Sequence, residues 1–170
     1  HELFKDMESF NEDISDWDVS NVKNMSKMFE YCIYFDQPLK KWSNKLSNVE
    51  DMSYMFFTAT MFDQDISTWD VSNVKNMKYM FAFAEVFDKD LSNWKLNPDV
   101  DVDQMFFDSG IINKHLPKEL AGKKNNDLDI ITDPVIESYS SKHKSYINEK
   151  YKEYKKNNFK LTICDAVYLY

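Results

Sequence analysis

The chain has 170 residues, a formal charge of −8 and a sequence pI near 4.9, which argues against nucleic-acid phosphate or anionic lipid as its main partner. All 21 basic residues are lysine, so no bidentate guanidinium clamp is present, and two glycines leave no Gly-rich phosphate loop. Cys32 and Cys164 are far apart and form neither a CxxC motif nor a disulfide framework, which leaves the redox compartment open.

In chain order, Leu3-Phe4 matches the Met28-Phe29 end of a later unit, and Phe4 precedes Phe10 by six residues. Residues 1–9 are therefore expected to be the end of a preceding repeat, which leaves room for an N-terminal anchor or export signal outside the sequence. Four units follow over 10–111, opened by Phe10, Phe35, Phe62 and Phe87. The openers are 25, 27 and 25 residues apart, and Trp17, Trp42, Trp69 and Trp94 each fall seven residues after one of them. A period in this range implies stacked supersecondary units, none of which buries its apolar face alone.

Within the third unit, Trp69 and Val71 alternate as in a short strand, and Val74, Met77, Met80 and Phe81 follow at helical spacing. Ser72 stands where an N-cap would, and Ser47 with Glu50 has capping-box spacing. Stacking such coils predicts a parallel sheet at about 4.8 Å per coil, with continuous columns of Trp, Met and Phe inside. Asn21, Asn48 and Asn73 recur where an amide bonds neighbouring backbone. Cys32, in a column with Ala59, Ala84 and Ser109, is expected to be a small buried thiol. The second unit carries two extra residues after Trp42, and the fourth replaces the S-N-V triplet with Asn97-Pro98-Asp99.

The pattern F-[ND]-x-[DP]-[IL]-x-x-W-x-[VL]-S-N-V-x-x-M-x-x-M-F, closest over residues 65–74, resembles the BspA-like bacterial surface-protein repeat. Such repeats occur in mycoplasma-type lipoproteins and in some large DNA viruses. The resemblance implies a leucine-rich-repeat-like fold and a role in surface display and recognition, with no catalytic residues to carry over. The expected fold class is thus an α/β repeat solenoid of short parallel strand plus short helix, ending in a C-terminal helix-containing cap.

After Leu116 the repeat is lost. Asp133-Pro134 reads as an N-cap and first-turn proline, and Ile136, Tyr139, His143, Tyr146, Ile147, Tyr151 and Tyr154 form one helical face. Residues 112–170 are therefore expected to be a cap or docking segment with a helix near 134–156. Its tyrosines suit an interface as well as an end cover.

No zinc spacing links His1, His115 or His143 with the cysteines, and no nucleophile motif occurs, so no enzyme, cofactor or metal is expected. Stacked carboxylates in the acidic turns suit calcium in principle, but solvated turns are their default. The expected function is a non-enzymatic, surface-displayed protein-interaction or adhesion module, at the cell surface or extracellular. Its outward strand positions Asp16, Asp18, Lys41, Ser43, Thr68, Asp70, Asn93 and Lys95 are the candidate contacts, joined by Tyr139, Tyr146 and Tyr154. The alternative is a structural component of a viral capsid (virion) or surface layer, docked through the C-terminal part. The expected partner is a protein, either a host surface or an assembly scaffold, with no nucleic acid and no membrane span expected in the chain.

Overall fold

The structure is a computed structural model that describes residues 1–121, within a first compact unit spanning His1–Asn125. The helix expected near 134–156, together with Tyr139, Tyr146 and Tyr154, lies outside the described residues. The expected α/β solenoid of strand plus helix is overturned. Among the described residues there is no β-strand and no α-helix. Three short 3-10 turns occur at Lys40–Trp42, Asn113–His115 and Lys118–Leu120, and isolated parallel bridges link Asn24 to Asp51, Asp51 to Asn76, and Asn76 to Asp101.

The segment read as a helix is a ribbon of tight turns. Met28 N–H donates to the Met25 carbonyl, Glu30 to Lys27 and Cys32 to Phe29, so each bond closes over three residues and not four. Lys27 (φ 58°) and Tyr31 (φ 61°) occupy the left-handed region at the third residue of their turns, as type II turns require. The intervening amides of Met25, Lys27, Phe29 and Tyr31 donate to the carbonyls of Asp51, Ser53, Met55 and Phe57 in the next coil. The same alternation runs from Met52, Tyr54, Phe56 and Thr58 to Asn76, Lys78, Met80 and Ala82. It recurs from Met77, Tyr79, Phe81 and Phe83 to Asp101, Asp103, Met105 and Phe107. Backbone donors are thus divided between a coil's own turns and its neighbour, which meets the requirement that buried amides be paired.

Short polar side chains reinforce this choice. In Asp-x-Ser and Asn-x-Ser triplets the first residue accepts from the backbone two residues on, as in Asp13 to Ser15, Asn24 to Ser26, Asp51 to Ser53 and Asp65 to Ser67. Ser72 is therefore not a helix cap, because its N–H and hydroxyl both donate to Asp70. These Asx turns offer the backbone an alternative to helix or ladder.

The core follows the repeat. Phe4, Phe29, Phe56, Phe81 and Phe106 stack at centroid separations of 5.7, 5.4, 5.5 and 5.5 Å. A second column, Phe10, Phe35, Phe62 and Phe87, stacks at 5.6, 6.0 and 5.8 Å. Within one coil the two rings lie closer still, 4.1 Å for Phe29–Phe35 and 4.0 Å for Phe56–Phe62. Met25, Met52, Met55, Met77 and Met80 are buried beside them. Trp42, Trp69 and Trp94 are buried as expected, but Trp17 is 43% exposed, so the tryptophan column is not internal throughout. Asn48 and Asn73 donate to the Ser20 and Ser47 carbonyls of the preceding coil, the structural use their recurrence suggested.

Candidate interaction surface

The candidate contact positions flank the tryptophans, where the turn backbone alternates side chains between core and solvent. Asp16, Asp18, Lys41, Thr68, Asp70, Asn93 and Lys95 are exposed and Ser43 is half-buried. Two pairs are brought together across neighbouring coils. The Lys41 ammonium donates to Asp16 Oδ1 at 2.7 Å, and the Ser43 and Thr68 hydroxyls lie 2.6 Å apart. Asp18 and Asp70 instead serve local turns, accepting from Ser20 and Ser72. Those hydrogen bonds, side-chain first, hold both carboxyls below their ordinary value, and the charge of Lys95 adds a smaller pull on Asp70.

Other charges are paired from coil to coil. Ion pairs join residues one coil apart: Lys40 with Asp65 at 2.9 Å, Glu50 with Lys75 at 2.7 Å, and Lys78 with Asp103 at 3.0 Å. Glu50 with Lys75 and Lys78 with Asp103 stand at equivalent positions of successive coils, where opposite signs avoid the repulsion that identical ones would bring, whereas Lys40 and Asp65 are offset by two positions. Lys5 with Glu30, at 3.0 Å, repeats the pattern, with a fully buried carboxylate.

The acidic turns form a separate column. Asn11 Oδ1 accepts from Asp36 N–H and from the Gln37 amide, Asp36 Oδ1 from Asp63 N–H and the Gln64 amide, and Asp63 Oδ1 from Asp88 N–H. Asp88 Oδ1 ends the series against Ile112 N–H and His115 Nδ1, at 3.0 and 2.8 Å. Burial pushes the Asp88 carboxyl up, but the Ile112 amide and His115 outweigh it, and the net position is lowered. These oxygens join coil to coil. Among the described residues no group of three or more His, Cys, Asp or Glu side chains is arranged to hold a metal ion.

Sequence reasoning missed a second aromatic set, at and next to the left-handed residues of the turns. Tyr54 and Tyr79 have centroids 4.9 Å apart, Phe57 meets Phe83 edge-on at 5.5 Å, and Tyr31 lies 6.0 Å from Phe57. Lys27 stands 5.3 Å over the Tyr54 ring, and Lys78 stands at the same distance over Tyr79. The signal was the recurrence of Tyr or Phe within and just after M-x-x-M-F. A helical reading spread those positions around an axis, whereas the turn ribbon gathers them on one side. Cys32 is buried, its thiol donating to the Phe4 carbonyl at 3.0 Å, and burial pushes its pKa up to about 12, so it is an inert core thiol.

Among the described residues no helix is long and apolar enough to cross a membrane. The family model DUF285, described as "Mycoplasma protein of unknown function", matches residues 1–119. Neither the curated proteins nor the solved structures give a match to the chain.

Proposed function

The chain belongs to the DUF285 family, and on that premise we propose that it is a non-enzymatic, surface-displayed protein-interaction or adhesion module. The finer kinship with BspA-like repeats rests on the S-N-V and M-F motifs in fixed register with tryptophan. The observation that carries the reading is the exposed polar strip in which Asp16 is tied to Lys41 and Ser43 to Thr68 across coils. Side chains locked to one another in this way lose little further freedom when a partner docks, which lowers the cost of binding. A strip that mixes the paired Asp16 and Lys41 with the hydroxyls of Ser43 and Thr68 suits a protein partner contacted through hydrogen bonds.

The test is a photo-crosslinking amino acid placed at Thr68 and at Asp70, with the protein presented on its native cell or particle. Crosslinks to a discrete protein, weakened by Asp16→Lys on the same strip, support the proposal. Crosslinks obtained only from probes placed within Ser138–Tyr170 would overturn it in favour of a passive assembly component.

A further inference from the structure

We draw no further inference here: the strongest candidate, the aromatic layer of Tyr31, Phe57, Tyr79 and Phe83 at and next to the left-handed residues of the turns, is buried, and nothing among the described residues shows what covers it.

Discussion

The Trp69 indole Nε1–H donates to the Leu39 carbonyl of the preceding coil at 3.2 Å, and Trp94 repeats the bond to Ile66 at 3.1 Å. The Trp42 indole nitrogen, equally buried, has no such acceptor among the described residues. Trp42 closes the 3-10 turn Lys40–Trp42, next to the two extra residues of its unit, and its ring stacks on that of Trp69 at 6.3 Å. Trp69→Phe and Trp42→Phe remove the same atoms, but only the first removes a hydrogen bond. Trp69→Phe is expected to destabilise by about 1 kcal/mol more than Trp42→Phe. Urea unfolding followed by circular dichroism measures the difference, and equal costs would show that the indole bond contributes nothing.

Phe56 is fully buried, with rings of both neighbouring coils and of its own coil against it: Phe29, Phe81 and Phe62 at 5.4, 5.5 and 4.0 Å. Phe56→Ala opens a void in the middle of the stack and is expected to cost about 3–5 kcal/mol. Phe10→Ala, at the half-buried start of its column, is expected to cost markedly less. Paired denaturation curves decide this, and similar losses would mean that the columns do not transmit packing from coil to coil.

Gln104 holds φ at 53°, a conformation that costs an L side chain about 1–2 kcal/mol. Glycine there relieves that strain but adds about 0.5–1 kcal/mol of unfolded-chain entropy. Gln104→Gly is therefore expected to be neutral to stabilising by up to about 1.5 kcal/mol, and Gln104→Val clearly destabilising. Thermal midpoints rank the three proteins, and a midpoint for Gln104→Val at or above the parent's would refute the left-handed assignment.

Gly110 makes the opposite demand. A Cβ built there would stand 2.3 Å from the Glu85 carbonyl oxygen and 3.2 Å from that of Phe87, so the constraint is backbone against backbone. Gly110→Ala must push one coil from the next and is expected to destabilise by about 1–3 kcal/mol. Amide hydrogen exchange is expected to quicken at Gly110 and at neighbouring amides. Unchanged exchange and stability would show that the approach is looser than the structure has it.

Asp65 carries the largest acid-side effect. Its hydrogen bond from the Ser67 hydroxyl, then that from Lys40, then the Ser67 N–H, hold its carboxyl at about 2 against an ordinary 3.8. A carboxyl lowered by folding stabilises the protein above its unfolded value and loses that contribution as pH falls through the folded one. Stability is thus expected to decline between roughly pH 4 and pH 2, and Asp13, Asp18, Asp70 and Asp90, whose carboxyls are also lowered, act in the same direction. Asp65→Asn keeps an Asx acceptor but removes the charge, so its stability profile is expected to be flatter over that window. Urea midpoints at a series of pH values test this, and an unchanged slope would exclude Asp65 as a contributor.

Much of the stack was legible because apolar burial depends on period and side-chain type alone. The spacing of Phe35, Phe62 and Phe87, the Met-Phe pairs and the recurring Asn48 and Asn73 marked the core columns and the amide bonds between coils without any knowledge of backbone conformation. The backbone itself was not legible. M-x-x-M-F places its apolar residues three and four apart, which suits a helix face and a chain of three-residue turns equally well. Glycine, the usual mark of left-handed turns, is replaced by Lys27, Tyr31, Tyr54, Thr58, Tyr79 and Phe83. The polar strip was half legible: its positions stood out beside the tryptophans, whereas the pairing of Lys41 with Asp16 depends on how coils fall against one another.

By itself, then, the sequence determined that the chain repeats and that the recurring Met and Phe positions build its core. Only the tertiary structure decided that the repeats are coils of turns in place of strand and helix. The physical reason is that a left-handed residue such as Thr58 is unfavourable in isolation. It is held by its N–H bond to Ala82, the kind of partner that exists only once the next coil is in place.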